Sequence, residues 1–170
     1  MDEAAKHYRA IATGRRNKVA GEYWEKMIEA TCRYYSDRGI AEIEKTPEPM
    51  RPLGRPDSKG RFPACFTKQA QPDYKGTLAG GQAVVFEAKH TDTGRMERKV
   101  ITGEQEQQLD RHEKLGATCF VMVSFDFQRY FRVPWNVFRD MKERFGRKYV
   151  TPEDLREYEV SYRGGVLQFL

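Results

Sequence analysis

Apolar positions along the chain change their period several times, and each change marks an element. Between 19 and 36, Trp24, Met27, Ile28, Thr31, Cys32 and Tyr35 recur at steps of three and four, which predicts an amphipathic helix. Gly39 supplies its stop, and residues 40–45 then alternate apolar and polar as a short half-buried strand does. The pattern collapses over 46–70, where Pro47, Pro49, Pro52, Pro56 and Pro63 with Gly54 and Gly60 exclude continuous regular structure. A double glycine, Gly80-Gly81, makes a hairpin turn into the apolar run 83–86, a buried strand. Polar residues 90–99 read as a loop. Thr102 is the expected N-cap of a helix that ends at Leu115 before Gly116. Residues 117–125 form a nearly continuous apolar run, as a central strand covered on both faces requires. A shorter strand at 130–133 is ended by Pro134. Residues 135–145 read as a basic amphipathic helix, and Thr151-Pro152-Glu153-Asp154 as the cap and first turn of another. A short apolar segment, 166–170, follows.

Strands alternating with helices imply an α/β fold, its sheet flanked by helices. At 170 residues a single domain is expected. It is read as spanning 19–170, with an insertion at about 46–70 and a flexible basic arm over 1–18. No apolar run is long enough to span a bilayer, and no secretory leader is visible, so no membrane partner is expected. Three scattered cysteines, Cys32, Cys65 and Cys119, lack metal-ligand spacing and fit the reduced thiols of a cytoplasm. A net charge of +5 favours a polyanionic partner. The cations gather in two places: Lys6, Arg9, Arg15, Arg16 and Lys18 in the arm, and Arg51, Arg55, Lys59, Arg61 and Lys68 in the insertion. Both are candidates for contact with a nucleic-acid backbone.

The candidate chemistry lies on the strand after Gly80-Gly81. Side chains on a strand alternate, so Val85, Glu87 and Lys89 share one face while Val84, Phe86 and Ala88 share the other. The hairpin returns Asp73 towards Glu87. Two carboxylates and a lysine converging at a strand end suit a hard divalent cation and a water nucleophile. Read from these residues alone, a surface hairpin with an ordinary ion pair stays open as an alternative. Glu22, Glu25 and Glu29 share a helix face, and Glu25, beside the apolar stripe, is the one best placed to point at a site.

Pro72-Asp73, followed fourteen residues on by Glu87-Ala88-Lys89, resembles the PD-(D/E)xK nucleases. Wider order along the chain is similar to the RecU family of Holliday junction resolvases over roughly 15–170. The likeness is carried by Gly21 and Glu25, Tyr34-Tyr35, Ile40 to Ile43, Pro47-Glu48-Pro49, Gln69-Ala70, Asp73-Tyr74-Lys75-Gly76, Phe86 to Lys89, Gln105 with Leu109, the strand 119–125 and the closing 165–170. Gln71-Pro72 departs from the threonines of that family and suits a diverged, phage-borne relative. The resemblance implies a restriction-endonuclease-like core with a projecting Pro-rich basic stalk. It implies Mg²⁺ or Mn²⁺ held by Asp73, Glu87 and the Ala88 carbonyl, with Lys89 orienting the attacking water. Gln105 would act through water or beside the ligands, and Glu25 would support the metal waters or the lysine. It further implies a homodimer that cuts four-way DNA junctions symmetrically and leaves 5′-phosphates, with Arg15, Arg16, Lys18, Arg51, Arg55, Lys59, Arg61 and Lys68 on the backbone. Two alternatives stand beside it: another nuclease of the same core, for nicking or end processing, and a non-catalytic DNA-binding modulator of recombination.

Overall fold

The computed structural model describes residues 3–47, 49–66 and 71–170. In chain order its elements are α1 (Glu3–Ser36), β1 (Ala41–Lys45), β2 (Met50–Pro52), β3 (Ala64–Phe66), β4 (Tyr74–Leu78), β5 (Ala83–Thr91) and β6 (Met96–Glu97). A 3₁₀ turn (Arg98–Val100) leads into α2 (Gly103–Lys114), then β7 (Thr118–Phe125), β8 (Arg129–Pro134), α3 (Trp135–Arg139), α4 (Met141–Phe145) and β9 (Tyr149–Val150). A second 3₁₀ turn (Arg156–Tyr158), β10 (Glu159–Val160), β11 (Tyr162–Arg163) and β12 (Val166–Leu167) follow.

Six strands form the central sheet in the order β1-β4-β5-β7-β8-β10. Only β5 and β7 run parallel, because α2 carries the chain across between them; the other neighbours are antiparallel. Alternation along β5 and β7 divides the core in two. Val84, Phe86, Phe120 and Met122 face α1, meeting Trp24, Ile28 and Tyr35; Val85, Val121 and Val123 face Leu109 of α2, Trp135 and Phe138. The α1 layer is stacked aromatic, with Phe86 between Tyr74 and Phe120 at centroid distances of 4.8 and 4.6 Å. The Tyr35 hydroxyl donates to the Leu167 carbonyl at 2.8 Å and accepts from the Phe169 amide at 3.0 Å, which fixes residues 167–169 against α1.

Several expectations hold: the strand at 41–45, the hairpin through Gly80 and Gly81 with φ of 91° and 92°, the Thr102 cap, and a central β7. Others need correction. The helix expected from 19 begins at Glu3, so residues 3–18, read as a flexible arm, are its continuation, and 12–19 stand exposed. The insertion is not wholly irregular, since β2 and β3 pair at its base with Arg51 opposite Cys65. Within 90–99, β5 runs on to Thr91 and Met96 is buried in β6 against β9. The helix expected over 135–145 is divided at Asp140, whose φ of −94° and ψ of 27° depart from helical values, so that α3 ends at Arg139 and α4 starts at Met141. No α-helix follows Thr151. The Asp154 carboxylate folds back to accept from the Thr151 amide at 2.7 Å, and by Glu159 the chain must already pair as β10 with β8. Glu48, Lys68 and Gln69-Ala70 lie outside the described residues.

Candidate active site

The site grows from a mismatch in strand length. β4 stops pairing at Tyr74, opposite Phe86, whereas β5 continues to Thr91. Beyond Phe86 the β4 side of β5 therefore has backbone groups with no strand to meet. Asp73, the residue before β4, fills that place: its Oδ2 accepts the Ala88 amide at 2.9 Å. An N–H and a C=O of one strand residue point to the same edge, so the Ala88 carbonyl faces the same gap. The Asp73 carbonyl accepts from the Thr46 amide at 2.8 Å, which ties the Asp73 backbone to the end of β1.

Lys89 lies between the two acids. Its Nζ is 2.8 Å from Glu87 Oε2 and 3.3 Å from Asp73 Oδ2, and its side chain keeps 19% of its surface. Glu87 is fully buried. Its Oε2 takes both Lys89 and the Gln105 amide, while its Oε1, also buried, has no hydrogen-bond partner among the described residues. Burial pushes the Glu87 carboxyl up to about 8; Lys89 opposes that shift and Asp73 adds to it. For Lys89 burial works against the ammonium, but the two carboxylates outweigh it and its pKa ends above the ordinary value.

Gln105 reaches Glu87 because it belongs to a capping box. Thr102 Oγ1 accepts the Gln105 amide at 3.2 Å and Gln105 Oε1 accepts the Thr102 amide at 3.1 Å, leaving Nε2 to donate to Glu87. One side chain thus starts α2 and orients a buried carboxylate. Among the three glutamines of this turn, Gln105 is the buried one at this site.

The remaining candidates fall at greater remove. Glu25 bonds Lys45 Nζ at 2.7 Å, and its carbonyl accepts from the Tyr74 hydroxyl at 3.3 Å, so it stands behind the end of β4 and contacts Asp73's neighbours. Glu25 and Asp73 both help to hold the Lys45 ammonium above its ordinary pKa, the Glu25 bond foremost. Lys45 was not expected here; it is twenty residues from Glu25, and only the β1–β4 register brings it close. Arg15, Arg16 and Lys18 are exposed on α1, with Arg16 paired to Asp92 at 2.8 Å and Lys18 within 4.0 Å of Glu22. Arg51, Arg55, Lys59 and Arg61 are exposed on the β2–β3 insertion, where Asp57 holds Arg61 at 3.1 Å.

A hard divalent cation fits this donor set. Oxygen ligands are present on both carboxylates and on the Ala88 carbonyl, and the orphaned Glu87 Oε1 is a buried acceptor that none of the described residues satisfies. Among the described residues no cluster of three or more His, Cys, Asp or Glu forms a metal cage, so water and substrate oxygens would complete the coordination.

The family described as Recombination protein U, RecU, matches residues 19–170. The chain belongs to the RecU family. Its relatives include the Holliday junction resolvase RecU of Streptococcus pneumoniae strain Taiwan19F-14, 30% identical over 153 residues, covering 85% of this chain and 76% of the relative. The same protein from strain CGSP14 matches at the same identity and coverage. Among solved structures, Archaeoglobus fulgidus Hjc, a Holliday junction resolvase from an archaeal hyperthermophile, superposes with a TM-score of 0.51 at 13% identity, covering 81% of this chain and 93% of that one. Likeness at that identity establishes the fold alone, a mixed sheet flanked by helices. The RecU match begins at 19, so the first half of α1 lies outside it.

Proposed function

We propose that this RecU-family chain is a metal-dependent endonuclease that resolves four-way DNA junctions by hydrolysing phosphodiesters at symmetric positions. The observation that carries the reading is the convergence of Asp73, Glu87, Lys89 and Gln105 on one gap at the edge of β5, with a buried carboxylate oxygen left unsatisfied. The relatives named as Holliday junction resolvases supply the substrate class.

Asp73, Glu87 and the Ala88 carbonyl would hold Mg²⁺ or Mn²⁺. Such an ion supplies neutralising charge for a phosphate and lowers the pKa of its own water. Gln105 fixes Glu87 through Oε2, which would leave Oε1 available to the ion. Lys89, a compact ammonium held by both acids, orients the attacking water against the phosphodiester. Glu25 anchors Lys45 and, through its carbonyl, Tyr74, and so steadies the backbone that presents Asp73. Arg15, Arg16 and Lys18 on α1 and Arg51, Arg55, Lys59, Arg61 and Lys68 of the insertion take backbone phosphates, so the substrate is chosen by shape more than by base sequence. A two-fold homodimer would set two such sites on the symmetric strands of a junction.

Substrate choice is tested by incubating the protein and Mg²⁺ with an end-labelled four-way junction and, separately, with a linear duplex of the same sequence. Paired nicks in the junction, with the duplex intact, are expected. Equal cutting of both would make the protein a general nuclease of this fold; junction binding without cutting in Mg²⁺ or Mn²⁺ would make it a binding protein.

A further inference from the structure

A second polar constellation occupies the α1 side of the same strand. His90 alternates away from Lys89, and its side chain is almost wholly buried. Its Nε2 is 2.8 Å from Asp92 Oδ1 and its Nδ1 is 3.1 Å from Ser124 Oγ. A carboxylate only accepts, so Nε2 donates to Asp92, and Nδ1 is bonded to the Ser124 hydroxyl. Ser, His and Asp in a row suggest a nucleophile, but Ser124 is completely buried, which denies it a substrate. The imidazole also stacks on Phe127 at 3.9 Å between centroids, and Tyr23 of α1 meets the other side of that contact edge-on at 5.1 Å. Asp126 and Phe127 hold φ of 50° and 53°, a left-handed pair that non-glycine residues adopt at a cost of about 1–2 kcal/mol each. The strain is retained where it presents the Phe127 ring to His90, with the Phe127 carbonyl accepting from Tyr130.

The row continues outward. The other oxygen of Asp92 pairs with Arg16 at 2.8 Å, and Arg16 itself is 71% exposed. Among the described residues this ion pair ties the otherwise exposed 12–18 stretch of α1 to the sheet. Asp92 lies three residues beyond Lys89, about 10 Å along an extended chain. One guanidinium nitrogen goes to Asp92, which leaves the remaining N–H donors of Arg16 free to meet a phosphate beside the active gap.

We propose that Ser124, His90 and Asp92 form a positioning relay that holds Arg16, and with it the basic first half of α1, at the mouth of the site to grip the DNA phosphate backbone flanking the cleaved bond. The inference rests on the junction-resolving function proposed above. The row spends a buried histidine and an acid next to a surface meant for a polyanion. By charge alone that acid repels DNA; as a holder of Arg16 it helps bind it.

These two roles of Asp92 predict opposite signs. Junction affinity is measured in EDTA, where no cleavage competes, and the KM and kcat of cleavage are measured at steady state in Mg²⁺, for wild type, Asp92→Ala, Arg16→Ala, the double variant, His90→Ala, His90→Gln and His90→Asn. The relay predicts that Asp92→Ala weakens junction binding on the order of tenfold despite removing a negative charge, and that the double variant is no weaker than Arg16→Ala. His90→Ala raises KM with kcat kept within about twofold. His90→Gln, whose amide nitrogen replaces Nε2, restores affinity, while His90→Asn, which replaces Nδ1, does not. Binding by Asp92→Ala that equals or exceeds the wild type, additive losses, or a fall in kcat at unchanged KM would each overturn the relay while leaving the nuclease reading intact. A wild type that neither binds nor cuts the junction would instead remove the reading on which it rests.

Discussion

At the scale of single residues, Glu87 carries the most unusual physics. A fully buried carboxyl with its pKa raised to about 8 favours the protonated form in the folded protein. A raised folded pKa means that the contribution to stability is complete below the ordinary carboxyl range and is lost as pH climbs through about 8. The metal-free protein should therefore melt lower at pH 8 than at pH 5 by an amount equivalent to, at most, a few kcal/mol. Glu87→Gln should flatten that profile, and Mg²⁺ should raise the wild-type melting temperature more at pH 8 than at pH 5. Thermal melts in EDTA and in Mg²⁺ check all three; a pH-independent wild-type profile contradicts the burial argument. Gln105 makes a second residue-scale case. Gln105→Glu keeps an acceptor for the Thr102 amide but sets a third carboxylate against Glu87, so cleavage should fall by 10–100-fold while the helix cap survives. Equal activity and stability in that variant would mean that the Glu87 contact has no role. Asp73, Glu87 and Lys89 were legible in the sequence because alternation on a strand and a tight hairpin fix their relation locally. Lys45 against Glu25, and Arg16 against Asp92, were not, since tertiary packing alone brings those segments together.

At the scale of elements, Gly76 explains why the Asp73-Tyr74-Lys75-Gly76 stretch ends in glycine. A Cβ built there would stand 2.1 Å from the Glu42 carbonyl oxygen and 2.7 Å from Ile43 Cα. Backbone cannot yield to that, so β1 and β4 touch only because the side chain is absent. Gly76→Ala should cost about 3 kcal/mol or more, in the range of severe overpacking, and should lower cleavage as well, because the Thr46–Asp73 bond depends on the same register. Denaturant melts and a cleavage assay on the folded fraction test this; a stable variant would show that β1 shifts freely. The elements read correctly were those with their own local signals: the capped α2, the apolar β7, the glycine turn. Those misread depended on partners. The first half of α1 has no apolar stripe to announce it, and the 135–145 stretch divides next to Arg139, whose guanidinium also pairs with Asp110 and Glu113 of α2, partners that only the fold supplies.

At the scale of the whole molecule, two basic regions flank one acidic site. If the insertion grips phosphates, binding must release counterions, and affinity must fall with salt. Replacing Arg51, Arg55, Lys59 and Arg61 together with serine should weaken junction binding and reduce the slope of log affinity against log salt by about three to four. Fluorescence anisotropy at several salt concentrations measures that slope, and an unchanged slope would remove the insertion from the DNA interface. Fold class was readable in advance because strand and helix periods alternate along the chain; the course of the insertion was not, since proline and glycine say where regular structure stops and not where the chain goes.

The central claim is that the gap at the edge of β5, beyond the end of β4, cuts DNA. Its most direct measurement is single-turnover cleavage of a labelled four-way junction by wild type, Asp73→Asn and Lys89→Ala, in Mg²⁺ and in EDTA, with junction binding recorded alongside. Paired nicks by the wild type in Mg²⁺, none in EDTA, and none by either variant at retained affinity are the predicted result. Cleavage that persists in Asp73→Asn would contradict the account, because the residue that closes the edge of β5 and faces both Ala88 and Lys89 would then be no part of the chemistry.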